Sequence, residues 1–597
     1  MIKKTIWMLV SLLMVMSLVM ASCGPAEEEA EVEVGEEEVE VGEGEVEVGE
    51  EEEVVEEEGF LSPETPKYGG YVTTGGSDPI GFDPAYYLNF MLVPNFIMTE
   101  SLVTGDWAKG PAGTGETDWT QGLTGRTDLM TGSLAESWSM PDDETIIFNI
   151  RPGVHWWNKA PVNGREFTAE DAAWSIEREW NGNSWLKFGN PPEDRIISVT
   201  ALDKYTLEVK VPPHAQGLQV FVTAESARIL PPELGDDMVT WETIVGTGPY
   251  MITDYVIGSS LSYEKNPNYW GHDPMHPENQ LPYLDGLRTP IIPDASTLQA
   301  GFRTGKIDML GEISYEDWQR FMQQVPDLQY MEIYASLPTF PCGRTDKPDL
   351  PFKDVKVRQA MNLAVDQRTI LEDYYEGHGA LLCYPFLPIA AFQNQYVPLE
   401  EMPEVVQELF DYNPDKAKQL LTEAGYPNGF KTSIICTTME VDLLSIIREY
   451  LLDVNIDMEL QPGEGGMVTA MVKGRQVEEM CMAMSYPFAV WKMLNLRAES
   501  SGNPSYFETP QTLATYNTVL ATVGKDTDAM LQALKDAAPH VLEYSWGIWL
   551  PAPSRYNVWQ PWIQNYHGET NVAQSSIAGY QRVYIWIDQE LKKSMGY

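Results

Sequence analysis

Basic side chains are scarce in this chain: 39 Lys and Arg stand against 89 Asp and Glu, a net charge of −50 over 597 residues. A phosphate backbone is held by a basic face that releases its counterions, so nucleic acid is excluded as a partner. Cysteine and histidine are scarce too, at five and seven, which excludes a disulfide-dense scaffold and a Cys/His metal array. His272 and His276 are the nearest approach to a ligand pair, but Pro274 between them breaks the helix that would align them, and a solvated loop is expected. No Gly-x-Ser-x-Gly elbow occurs, and GFRTGK at 301–306 misses phosphate-loop spacing by one residue, with Ile307 where Ser or Thr is required. That segment reads instead as a helix end and a turn before a strand at 307–310. Acidic pairs such as Glu312 and Glu316 are inevitable in so acidic a body and carry no glycosidase signal by themselves. Neither metal nor cofactor is expected.

What is present begins with a leader. Lys3 and Lys4 precede an apolar run at 6–19 and then Met20-Ala21-Ser22-Cys23, the order of a secretion signal with a small-residue cleavage site. The run is short of the roughly 18 residues a membrane span needs. Small residues before Cys23 resemble the bacterial lipobox, so residues 1–22 are expected to be a signal peptide and Cys23 the lipidated first residue of the mature chain. Residues 24–58 then hold 19 Glu and no Lys, Arg or Asp, which leaves −33 for the chain from Gly59 onward once Lys3 and Lys4 are set aside. Glu-Val-Glu-Val-Gly recurs at 31–35, 38–42 and 45–49, but its valines make no a/d seam and its glycines oppose a helix. Residues 23–60 are expected to form an acidic, disordered tether, able to reach about 120 Å when fully stretched.

The body shows β-rich runs alternating with amphipathic helical ones, an α/β pattern. Segments 145–151 (TIIFNIR) and 206–211 (TLEVKV) read as strands, and Thr168 as the N-cap of a helix through Trp180. Val357, Ala360, Met361 and Ala364 form one helical stripe, and Asn413, Pro414 and Gly425 bracket another helix. Strands at 431–437, 456–461 and 478–484 alternate with helices, the rhythm of parallel crossovers.

Several segments, in order, resemble the family 5 extracellular solute-binding proteins, the oligopeptide- and dipeptide-binding components of ABC importers. They are FDPA at 82–85, LAESW at 134–138, FNIRPGV at 148–154, FTAEDA at 167–172, GTGPY at 246–250, NPNYW at 266–270, PYLDG at 282–286, FKDVKVRQA at 352–360 and NPDKA at 413–417 with EAGY at 423–426. A Gly- and Thr-rich stretch at 106–132 looks like an insertion where many members have a short loop.

The resemblance implies a two-lobed, type II periplasmic-binding-protein-like α/β fold with a hinge and an extra small α+β domain. Lobe I would comprise 68–98, 214–334 and 550–597, the extra domain 99–213, and lobe II 335–549, with chain crossings near Pro338 and Trp549. It implies a receptor and not an enzyme, monomeric, lipid-anchored outside the cytoplasmic membrane, and serving ABC permease and ATPase subunits. Ligand contacts are expected at Asp83, Tyr86 and Tyr87 on the lobe I turn, at Ser485, Tyr486 and Trp491 on lobe II, and at Arg475 for an anionic group. Peptide-binding members follow the last lobe II strand with Gly-Trp and an Asp that pairs with the peptide's amino group. Here Ser485-Tyr486-Pro487-Phe488-Ala489-Val490 carries neither, so an oligosaccharide competes with a peptide as the expected ligand, and a secreted hydrolase is the reading from another class. The aromatics Trp546, Trp549, Trp559, Trp562, Tyr544 and Tyr556 could stack on a ligand, although buried Trp is more often core. Beyond Cys23, four cysteines allow three pairings; Cys342 with Cys383 is favoured, and buried free thiols are the alternative.

Overall fold

The computed structural model describes residues 65–597 other than 87–93, 123–124, 326, 336–337, 383, 394, 486–496, 501 and 573–579. The leader, Cys23 and the acidic stretch lie outside the described residues, as do Tyr87, Cys383, Tyr486 and Trp491. From Gly59 onward the chain forms one contact unit.

Four four-stranded sheets organise it. Strand Tyr71–Thr73 pairs in parallel with Gly286–Pro290, which continues antiparallel to Ser260–Lys265 and then Tyr250–Val256. Strands Ala135–Asp142, Thr145–Ile150, Thr206–Lys210 and Ser198–Asp203 form an antiparallel sheet. Helix Ala169–Asn181 packs against this sheet and starts where Thr168 and Asp171 cap each other reciprocally. The third sheet holds three parallel strands, Ile456–Gly463, Phe430–Thr437 and Met480–Met484, bordered by the antiparallel strand Thr339–Gly343. Helices Val441–Asp453 and Gly465–Lys473 make the crossovers, so the strand-helix rhythm of the sequence is a run of parallel units.

The fourth sheet joins Met309–Ile313, Ala552–Trp559 and Gln329–Tyr334, and Gly379–Ala380 also pairs with Ala552–Trp559. From it the chain leaves at Ala335, reaches the parallel sheet at Pro338 with 336–337 outside the described residues, and returns at 548–551. The two passages run side by side: Ala335 N–H donates to Pro553 O at 3.0 Å and Ile548 N–H to Pro341 O at 2.8 Å. GFRTGK is a helix end, Ala295–Arg303, followed by a turn through Gly305 at φ 65°. Trp546, Trp549, Trp559 and Trp562 are all buried and belong to the core, Trp549 stacked on Tyr384 at 4.9 Å. Among the described residues no helix is long and apolar enough to cross a membrane.

Helix Ala169–Asn181 also carries a buried acid, Glu179, whose Oε2 accepts from Arg228 N–H at 3.2 Å. Burial pushes its carboxyl up to about 8 from an ordinary 4.5, against the opposing pull of that hydrogen bond and the Arg228 charge. A folded state that holds this proton more tightly than the unfolded chain gains stability below about pH 4.5 and loses it as pH rises through about 8. Glu179→Gln carries no such dependence. The melting-temperature difference, variant minus parent, is therefore expected to grow from pH 5 to pH 8 in thermal scans; a constant difference would contradict a protonated Glu179.

Candidate functional site

In open α/β sheets ligands meet the carboxyl ends of parallel strands, where loops diverge. Here those ends are Thr437, Gly463 and Met484, with Thr339 of the border strand paired to Met484. Two of the helix starts at this edge are closed by their own acids. Glu440 Oε2 accepts from Thr437 N–H at 2.6 Å, and Glu464 accepts from the N–H groups of Gly466 and Met467 at 3.0 Å each. Those two amide bonds hold the Glu464 carboxyl below its ordinary range. With a carboxylate already at each positive helix end, neither offers a seat to an anionic ligand.

Ser485, just past the last strand, is buried, and its N–H donates to Pro338 O at 2.7 Å. It therefore sits against the first of the two passages, where movement between the sheets would be felt. Arg475 has φ 59° and is spent locally: its guanidinium donates to Ala498 O and, at 3.2 Å, to Ser500 O, and lies 4.2 Å from the Tyr506 ring centre. It braces the 498–506 segment.

Asp83 is completely buried. Arg178 grips it with two bonds of 2.7 and 2.8 Å, while Ala85 N–H donates to Oδ1 at 3.0 Å and Val239 N–H to Oδ2 at 2.8 Å. The carboxylate thus ties the 82–86 turn to helix Ala169–Asn181 and to the loop at Val239. Tyr86 is exposed, and its hydroxyl donates to Asp236 O at 2.8 Å. Of the expected contacts, the structure brings Asp83 and Tyr86 together around Arg178 and leaves Ser485 and Arg475 apart from them.

The cysteines differ from the favoured pairing. Cys342 is a free thiol whose cross-strand partner is Cys481, Sγ to Sγ 4.0 Å, about twice a disulfide bond length. Cys342–Cys383 is thereby replaced at Cys342 by an unbonded pair of neighbours, because the antiparallel register of Thr339–Gly343 and Met480–Met484 puts the two residues opposite each other. Burial pushes the thiols of Cys342 and Cys436 up, away from the reactive thiolate. Thiol titration of the native protein is expected to leave Cys342, Cys436 and Cys481 unlabelled and to count them only after denaturation; labelling of Cys342 under native conditions would contradict its burial.

Sequence reading missed a contact zone built from distant segments. Helix Pro510–Thr522 and the turn after it reach the 193–217 region, where Tyr516 OH donates to Asp194 at 3.3 Å and His214 Nε2 lies 2.8 Å from the same carboxylate. Arg497 lies 4.9 Å from the Tyr516 ring centre and 4.0 Å from Glu193, and Lys525 is 3.5 Å from Asp143. Gly217 packs directly on the backbone carbonyl of Val523. No local spacing announces these pairs; the glycine was the only available signal.

The family described as Bacterial extracellular solute-binding proteins, family 5 Middle, matches residues 130–492. The chain belongs to this family. Like it are heme-binding protein A of Haemophilus influenzae, 32% identical over 52% of this chain and 56% of that protein, and the glutathione-binding protein GsiB of Escherichia coli K12, 25% identical over 68% and 75%. The chain thus spans little more than half of the first relative's length. Among solved structures, the Helicobacter pylori periplasmic binding protein DppA in complex with peptide STSA has a TM-score of 0.66 at 20% identity, covering 88% of this chain and 99% of that one. HbpA2 of Haemophilus parasuis has a TM-score of 0.66 at 20% identity, over 87% and 99%. These likenesses establish the two-lobed α/β fold of family 5.

Proposed function

We propose that this family 5 protein is the substrate-binding receptor of an ABC importer. It captures a peptide or peptide-like solute between its lobes and presents the closed form to a membrane permease and its ATPase. The observation that carries the reading is the pair of adjacent chain passages at 335–338 and 548–551, since small dihedral changes in two neighbouring strands swing one sheet against another. The open state samples closure, and a ligand touching both lobes makes closure the lower free-energy state. Ser485, beside the first passage, and the strand ends Thr437 and Gly463, paired with each other, are the lobe II contacts we assign, with Tyr486 and Trp491 following in sequence. Asp83 and Arg178 act by holding the 82–86 turn in place, with Tyr86 at its surface. Cys23 is the proposed lipid attachment, with the acidic stretch after it as tether.

Among the relatives, one is named for heme, one for glutathione, and one was solved with a peptide. An oligosaccharide is the second reading, favoured by the lack of any acid in 485–490 to pair with a peptide's amino group. Native mass spectrometry of the ligand that co-purifies, followed by calorimetry with that compound and with peptide and oligosaccharide libraries, tests the proposal. Saturable binding without product formation is expected, and catalytic turnover of the bound compound would sink it.

A further inference from the structure

Among the described residues four methionines are exposed: Met238, Met439, Met467 and Met484. Three of them stand at the carboxyl ends of the parallel strands. Met439 follows Phe430–Thr437 and is 92% exposed, Met467 lies in the first turn of the helix after Ile456–Gly463 at 48%, and Met484 ends its own strand at 39%. The three strands are neighbours with Phe430–Thr437 in the middle, so their ends are spaced by about 4.8 Å. At the opposite ends of the same sheet Ile456 and Met480 are buried. A Cβ at Gly463 would collide with the Met467 methyl, so the glycine lets that side chain fold back over its strand end. A set of exposed apolar groups at one edge is disfavoured in water and marks a surface that meets a partner.

The chemistry of this edge selects among ligands. Glu440 and Glu464 place carboxylates at the two helix starts beside the methionines, and an anionic group is repelled there. Thr437 Oγ1 donates to Glu440 at 2.9 Å and Ser485 is buried, which leaves Thr438 as the exposed hydroxyl. A sugar needs a hydrogen-bond partner for each hydroxyl it brings out of water, and a thioether sulfur is a weak acceptor and no donor. Apolar groups gain from the same surface. Methionine is unbranched and polarizable, adapts to different shapes through its three rotatable bonds, and makes favourable sulfur contacts to aromatic rings. Surfaces of this kind repack around a range of apolar side chains.

We propose that Met439, Met467 and Met484 are the specificity-determining platform of the interlobe site, and that the solute is peptide-like with an apolar or aromatic side chain laid on the three thioethers. This rests on the receptor reading above and narrows its choice between peptide and oligosaccharide. The tripeptides Ala-Phe-Ala, Ala-Leu-Ala and Ala-Ser-Ala, with maltotriose, are the probes, titrated calorimetrically into protein freed of co-purified compounds. Both apolar tripeptides are expected to bind saturably and about tenfold or more tightly than Ala-Ser-Ala or maltotriose. The triple variant Met439→Gln, Met467→Gln and Met484→Gln keeps side-chain length and adds a polar end; it is expected to weaken Ala-Phe-Ala about tenfold, and the matching triple leucine variant to retain it. All three positions are exposed, so both variants are expected to fold. Dilute hydrogen peroxide locates the contact, since it transfers one oxygen atom to an accessible thioether sulfur and leaves water. Saturating Ala-Phe-Ala is expected to slow sulfoxide formation, mapped by mass spectrometry, at the three methionines and not at Met238. Equal affinity for Ala-Ser-Ala, tighter binding of maltotriose, no binding of either apolar tripeptide, unchanged affinity in the glutamine variant or unprotected sulfurs would each overturn the platform and leave the receptor reading standing. That reading falls instead if a bound probe is converted to product.

Discussion

Replacing Gly217 by valine is expected to weaken binding of the co-purified ligand by about five- to 150-fold while leaving the unliganded protein's melting temperature nearly unchanged. A Cβ at this position would lie 1.6 Å from Val523 O and 2.7 Å from its carbon, so the backbones cannot keep their present distance. The obstruction is backbone on both sides and has no side-chain escape. Overpacking of this kind costs about 1–3 kcal/mol, and only in the state where the two segments touch. Gly217 belongs to the short helix Gln216–Gln219, which precedes both passages in the chain, whereas Val523 follows helix Pro510–Thr522, which lies between them in the chain. The neighbouring contacts of Tyr516 with Asp194 and Lys525 with Asp143 join the same two sides. We read the zone as a latch of the closed state, so a bulkier residue shifts the population towards open and lowers the apparent affinity by that shift. Calorimetry with the co-purified ligand, beside thermal scans of the empty protein, separates the outcomes. A variant that melts early but binds normally would make the zone a permanent interface instead.

Asp83→Ala is expected to cost about 3–5 kcal/mol of stability, because it strands a largely buried guanidinium. The Arg178 and Asp83 side chains are 10% and 0% exposed, and water cannot replace the lost partner. Two backbone donors, Ala85 N–H and Val239 N–H, lose their acceptor at the same time. Denaturant unfolding of Asp83→Ala, Arg178→Ala and the double variant checks this: a double variant much less destabilised than the sum of the singles shows the coupling. If Asp83→Ala instead melted normally and lost ligand affinity, the residue would be a binding contact, as its place in the FDPA turn suggested.

These two residues also show how much could be read in advance. The FDPA turn marks Asp83 as special, but its partner lies 95 residues away, and no spacing rule connects them. Motif position says that a residue matters without saying whether it faces a ligand or a neighbouring helix. Arg475 repeats the lesson, since its charge is absorbed by carbonyls of a segment more than twenty residues downstream. The aromatic residues near the C-terminus could have been a stacking platform or core, and packing made Trp546, Trp549, Trp559 and Trp562 core.

By itself the sequence determined what depends on near neighbours and on order along the chain. The Thr168–Asp171 capping box, the helix from Pro414 to Glu423 and the three parallel strands follow from spacings of three, four and two residues, which backbone hydrogen bonding enforces locally. The ordered motifs between Phe82 and Tyr426 likewise pointed to family 5 before any contact was known. Only the tertiary structure decided that Cys342 faces Cys481 and that Gly217 meets Val523. Such pairings are chosen by close packing between segments far apart in the chain, where a shift of one residue in register or a few ångströms in docking would bring a different partner into contact.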